Sequence, residues 1–201
     1  MNVLALVGSL RADSTNHALT RAAIAHLPEG STATIFDRTA ELPHYSEDLD
    51  VEGHVPAIAE ELRAAVAAAD GLIVVTPEYN GTLSSVVKNA IDWASRPRED
   101  ACIAGTPAIV LAASGSPNAA EWARKDAVRT LQIAGAGVVE ETFGVGSSFQ
   151  AFADGRLVDA TSLGRGPVVA KDIRAAERLI AAGATPDPAD LAHPGVRLRS
   201  L

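Results

Sequence analysis

Short apolar runs alternate with amphipathic stretches along most of the chain. Val3-Leu4-Ala5-Leu6-Val7, Gly71-Leu72-Ile73-Val74-Val75-Thr76 and Pro107-Ala108-Ile109-Val110-Leu111-Ala112-Ala113 are apolar without alternation, the mark of strands covered on both faces. Ala33-Thr34-Ile35-Phe36 is a weaker run, and Gly137-Val138-Val139, with the residues just after it, supplies a fifth. Between them lie helical patterns. Residues 15–27 place apolar side chains at 18, 19, 22, 23 and 27, and 55–69 is alanine-rich with Leu62 and Val66 on one face. Residues 83–93 follow the third strand, and 118–133 start from an N-cap candidate, Ser116 or Asn118. This βαβαβαβαβ order predicts an α/β fold with an open parallel sheet and helices on both faces. An Asp154-Gly155 turn signal comes next, then a last helix over 171–182 ended by Gly183. One domain over 1–183 is expected, with 184–201, dominated by Pro, Asp and Arg, as a tail.

Composition narrows the reading. At 201 residues the chain is long enough for a full core, and with only 4% aromatic residues that core must be built from Ala, Val, Leu and Ile. A formal net charge of −8 disfavours a nucleic-acid or anionic-membrane surface. No apolar run reaches the roughly 18 residues that span a bilayer. Met1–Gly8 is too short for a secretion signal, so the expected location is cytoplasmic. Cys102 is the single cysteine, which excludes an internal disulfide, and the five histidines lack metal-ligand spacing.

Polar residues gather where the strands end. The first strand runs into Gly8-Ser9-Leu10-Arg11-Ala12-Asp13-Ser14-Thr15-Asn16, then a helix. Strand, polar loop and helix start offer free backbone N–H groups and a positive dipole end to an anion. Ser9, Ser14 and Thr15 add hydroxyls, Asn16 an amide and Arg11 a charged fork of donors, a set suited to a terminal phosphate monoester. Neither G-x-G-x-x-G nor a P-loop lysine is present, which argues against a dinucleotide fingerprint and against nucleoside triphosphate hydrolysis. The third strand ends in Pro77-Glu78-Tyr79-Asn80-Gly81-Thr82 and the fourth in Ser114-Gly115-Ser116-Pro117. In an open parallel sheet these ends share one crevice. Pro77 stiffens the strand exit, Gly81 permits positive φ, and Ser114-Gly115 allows close backbone approach to a flat ligand.

The first loop and the Pro77 turn, with Lys88-Asn89-Ala90-Ile91-Asp92-Trp93 behind it, resemble the NADPH-dependent FMN reductase family. That family carries G-S-x-R-x-x-S-x-N after its first strand and P-E-Y-N-[GH]-[ST] after its third, and both stand here in full. The resemblance covers residues 1 to about 155. It implies a flavodoxin-like, doubly wound five-stranded parallel sheet and FMN as cofactor, with NADPH or NADH as co-substrate. Ser9, Arg11, Ser14, Thr15 and Asn16 would surround the phosphate. Pro77, Glu78, Tyr79, Asn80 and Gly81 would run along the isoalloxazine, and Ser114 and Gly115 would close its pyrimidine side. It also implies a homodimer or homotetramer built on the helix after the Asn-Gly turn, where Val86, Val87 and Trp93 are alternatively core residues. The fourth-strand loop departs from the family's glycine-rich form at Pro117.

The chemistry expected is hydride transfer from nicotinamide to flavin and on to a small acceptor: a quinone, azo dye, flavin or metal ion. The cofactor carries it, so no catalytic side chain is assigned, and Glu78 is expected to position backbone. A one-electron flavodoxin-type carrier and a non-enzymatic ligand-binding module of the same fold stand as alternatives. Neither the natural acceptor nor the choice between the two nicotinamides is legible in the sequence.

Overall fold

The computed structural model describes residues 1–139, 142–153 and 156–158. The expected helix over 171–182 and the tail 184–201 lie outside the described residues.

Strands β1 (Asn2–Val7), β2 (Thr32–Phe36), β3 (Gly71–Val75) and β6 (Pro107–Ala113) form the parallel sheet. Two short segments, β7 (Gly137–Val138) and β8 (Phe143–Val145), both pair with the far edge of β6, so the fifth strand comes in two pieces. The order is β2-β1-β3-β6-β7, with the switch point between β1 and β3. Register aligns Val7 with Val75, and Val75 with Leu111, so β1 and β3 end level while β6 runs two residues further, to Ala113.

Helices cover both faces, as doubly wound sheets require. Helix α1 (Thr15–Ile24) packs Leu19 and Ala23 against Val3, Ala5, Ile73 and Ile109 on one face. On the other, α2 (Ala57–Ala67), α3 (Ser85–Ala94) and α4 (Glu121–Ile133) bury Leu62, Val66, Ile91 and Leu131 against Leu4, Leu6, Val74 and Val110. These are aliphatic contacts almost throughout, as the low aromatic content requires. Phe36, Phe143 and Trp93 are the buried aromatic members, and Trp93 is the largest. It is fully buried, its indole N–H donates to Pro43 O at 2.8 Å, Tyr45 meets its edge at 5.0 Å and the Arg63 guanidinium lies 5.4 Å from its centre. Val87 is buried as well, and only Val86 of the three interface candidates reaches the surface in part. Trp93 and Val87 are therefore core residues of this protomer. Cys102 is a half-buried filler: its thiol donates to Ala94 O, and burial pushes its pKa up, away from thiolate chemistry.

Between β3 and α3 the chain forms a miniature hairpin, β4 (Glu78–Tyr79) and β5 (Thr82–Leu83). Asn80 and Gly81 form its two-residue tip at φ 52° and 80°, the positive pair that such a tight turn demands. Thr76 anchors the base by donating to Pro77 O at 2.8 Å and accepting from the Ser84 N–H at 3.0 Å. Nearer the C-terminus, β9 (Phe152–Ala153) and β10 (Arg156–Leu157) pair antiparallel, and the Asp154-Gly155 turn signal lies outside the described residues. No helix among the described residues is long and apolar enough to cross a membrane.

Gly8 shows how tightly the strand ends are packed. A Cβ there would stand 2.2 Å from Ser84 Oγ, 3.1 Å from Val87 and 3.2 Å from Pro77. Ser84 is buried and caps α3, so it cannot swing away cheaply. Gly8→Ala is expected to destabilise the fold by about 1–3 kcal/mol, read as a lower urea midpoint at unchanged slope.

Candidate flavin cleft

A cleft of about 270 Å³ opens at the carboxyl ends of β1, β3 and β6. Ser9, Arg11, Thr15 and Asn16 line it from the first loop, Pro77, Glu78 and Tyr79 from the hairpin, and Ser114 and Gly115 from the fourth-strand loop. Nine of the twelve residues expected from sequence thus stand around one space. Ser14, Asn80 and Gly81 stand beside it rather than on its wall.

The local chemistry differs from residue to residue. Ser14 is the N-cap of α1, its Oγ accepting from the N–H groups of Asn16 and His17 at 3.2 and 3.3 Å. Asn16 does not hold its amide free. Its Nδ2 donates to Ala113 O at 3.0 Å and its Oδ1 accepts from the Ala113 N–H at 2.8 Å, so this buried side chain locks the start of α1 to the end of β6. Thr15 and Arg11 are held loosely, each by one contact of 3.4 Å, to Ser148 Oγ and Asp13 O. Ser9 is buried, 3% exposed, and its hydroxyl has no hydrogen-bond partner among the described residues. Its carbonyl accepts from His17 Nε2–H at 3.0 Å, which makes His17 a brace for the loop rather than a plain surface histidine.

Glu78 reaches across to α4. One carboxylate oxygen accepts from the Trp122 and Ala123 N–H groups at 3.1 and 3.2 Å. The cap expected from Ser116 or Asn118 is not what starts that helix. Ala119 and Ala120 both take φ 55°, which delays the helix to Glu121, and the cap position, Ala120, has no side-chain oxygen. A carboxylate 44 residues away supplies the acceptor, in a favourable place against the helix dipole. Thr82 also bonds Asp126 on the same helix, so the hairpin is tied to α4 at two points.

Sequence reasoning missed Ser148 and Phe149, which complete the wall from the short helix α5 (Ser148–Ala151). Ser148 is buried, and its N–H donates to Ser114 O at 2.9 Å. Phe149 is 74% exposed yet lies over Gly115, where a Cβ would come within 2.6 Å of its ring. The signal available was Gly144-Val145-Gly146-Ser147-Ser148, one more small and polar loop at a strand's carboxyl end. Gly144 and Gly146 let it nest against the fourth-strand loop, since Cβ atoms there would fall 2.5 and 2.7 Å from the Ala119 and Pro117 carbonyl oxygens.

Sheet order, switch point and a cleft at the strand ends define a flavodoxin-like protein. The model of the NADPH-dependent FMN reductase family matches residues 1–150, and the chain belongs to that family. A second model, described as Reductase C-terminal, matches residues 129–201, most of which lie outside the described residues. Over 114 residues, 57% of this chain, it is 44% identical to an NAD(P)H-dependent FMN reductase from Pseudomonas aeruginosa, covering 60% of that protein. It is 40% identical over 114 residues to a 2-hydroxy-1,4-benzoquinone reductase from a Burkholderia species, again 57% of this chain and 61% of that one. The chain thus spans about 60% of the length of these curated relatives. Among solved structures it resembles FerB, a flavoenzyme NAD(P)H:(acceptor) oxidoreductase from Paracoccus denitrificans, with a TM-score of 0.70 and 26% identity. That match covers 87% of this chain and 97% of the other.

The residues present fit FMN. An orphaned, buried Ser9 hydroxyl, two loosely held donors and a helix start suit a phosphate monoester. The Gly115 backbone and Pro77 suit the approach of a flat ring.

Removing the Glu78 carboxylate should loosen the hairpin from α4. Glu78→Ala is expected to cost about 1–2 kcal/mol, and Glu78→Gln, which keeps an acceptor, less than about 1 kcal/mol. Chemical denaturation of both variants beside the wild type checks this.

Proposed function

We propose that this protein is an FMN-dependent NAD(P)H oxidoreductase that reduces small acceptors, quinones first among them. The observation that carries the proposal is the convergence of the first loop, hairpin and fourth-strand loop on one cleft around an unpartnered buried hydroxyl. Ser9, Thr15 and Arg11 hold the phosphate of FMN, with Ser148 closing the same wall. Ser14 and Asn16 shape the loop that presents them. When bound, FMN supplies two-electron chemistry between a reduced nicotinamide and an acceptor.

What the chain contributes is binding, orientation and field. Pro77, Glu78 and Tyr79 flank the ring, with Glu78 fixing the hairpin through α4. The N–H groups of Asn80 and Gly81 lie at the hairpin tip, outside the Tyr79–Thr82 pair that closes the ladder. They are uncharged donors suited to an electron-rich ring edge. Ser114 and Gly115 bound the ring's pyrimidine side. No acid, base or nucleophile is assigned. The relatives' activities toward FMN and a benzoquinone support the acceptor class. Assembly as a homodimer or homotetramer belongs to the same reading, its support being the family likeness, with Ser85 and Val86 the outward residues at the start of α3.

The experiment is anaerobic rapid mixing of FMN-loaded protein with NADPH and with NADH, then with 1,4-benzoquinone. Bleaching of the flavin by at least one nicotinamide and its recovery on adding quinone are expected. A flavin that neither nicotinamide reduces would leave the carrier reading and defeat this one. Arg11→Gln should weaken FMN binding about tenfold, the weight of one charge-assisted contact.

A further inference from the structure

A second cleft, of about 380 Å³, lies on the β2 side of the first loop. It shares Ser9 and Arg11 with the flavin cleft and extends along α1 past His17 to Arg21, with Phe36 and Asp37 at the end of β2 opposite. Thr15, on the flavin wall, and Arg21 stand about 9 Å apart along the helix axis at roughly 1.5 Å per residue. The two spaces are therefore neighbours, divided by the loop that grips the phosphate.

Its charges are left open. Arg21 and Asp37 line the same cleft, yet among the described residues neither bonds to the other or to any other group. Elsewhere, Arg38, Arg63 and Arg129 each hold a carboxylate. The imidazole of His17, also on the cleft wall, is fixed by its bond to Ser9 O. In a chain of net charge −8, two guanidiniums around one hollow form a local site for anions. The walls also include apolar groups, Val7, Leu10 and Phe36. Asp37, at the carboxyl end of the strand beside β1, stands where other nucleotide-binding sheets keep the acid that accepts from ribose hydroxyls.

We propose that this cleft binds the adenosine diphosphate half of the nicotinamide dinucleotide. Arg21 and Arg11 take its phosphates, Asp37 accepts from the ribose diol, and the apolar wall takes the base. The proposal rests on the reading that a nicotinamide dinucleotide is the electron donor. Arg11 lies between the two ligands and offsets the repulsion of their phosphates. Asp37 is also the specificity residue, because its carboxylate opposes a ribose 2′-phosphate.

The test is calorimetric titration of ADP-ribose into FMN-loaded full-length protein, with Arg21→Glu and Asp37→Asn alongside. One ADP-ribose per chain is expected, weakened at least about tenfold by Arg21→Glu at unchanged flavin content. Asp37→Asn should raise the ratio of kcat/KM for NADPH over NADH about tenfold, a shift that a merely structural role would not produce. No heat at about 5 mM ADP-ribose, where even millimolar affinity registers, overturns the proposal. So does binding that survives Arg21→Glu, or a ratio indifferent to Asp37→Asn. Titration into FMN-free protein separates the two readings. ADP-ribose binding that Arg21→Glu abolishes supports this cleft even if FMN fails to bind, whereas FMN binding without ADP-ribose binding overturns this cleft alone.

Discussion

The cleft depends on one buried side chain. Asn16 donates to and accepts from the backbone of Ala113, and so fixes the first turn of α1 to the tip of β6, with β3 between them. Both main-chain groups of Ala113 lie beyond the last registered rung between β3 and β6, where a strand end would otherwise leave them to water. Satisfying them from the first turn of α1 ties the segment after β1 to the end of β6. The ligand wall is thus assembled from segments about a hundred residues apart, and its geometry comes from main-chain hydrogen bonding rather than from the ligand.

The hairpin after β3 is the second constraint. A helix could continue from the strand directly, but a two-residue Asn-Gly tip projects a short ladder over the sheet edge instead. Alone, so short a hairpin has little stability. Glu78 and Thr82 tie it to α4. The acid that the motif offers for proton transfer is engaged in capping a helix. Rigidity at the flank of the cleft is what these contacts supply.

The strands were legible because sheets covered on both faces need runs of Val, Ile and Leu that nothing else explains, and Val3–Val7 or Ile73–Val75 have no polar break. The loops were legible because hydroxyls, Arg11 and glycine at strand ends have few structural uses in combination. What stayed hidden was long-range. Glu78 caps a helix whose own sequence offers Ser116 and Asn118, and only the left-handed Ala119-Ala120 pair puts those out of position. The amide of Asn16 reads as a ligand donor until Ala113 is seen to take it. Ser148 and Phe149 arrive from a strand split in two, with no motif of their own. The burial of Trp93 turns on Pro43, Tyr45 and Arg63, which no helical periodicity brings together.

These constraints meet in a single claim: the tip of β1 grips a phosphate whose attached ring lies along the tip of β3. The most direct measurement compares FMN with riboflavin, which differ by that phosphate alone, in fluorescence-quenching titrations of the FMN-free protein. With charge-assisted contacts contributing about 1.5–3 kcal/mol each, FMN should bind at least about 100-fold more tightly. Equal affinities, or no quenching by either flavin, would contradict the account.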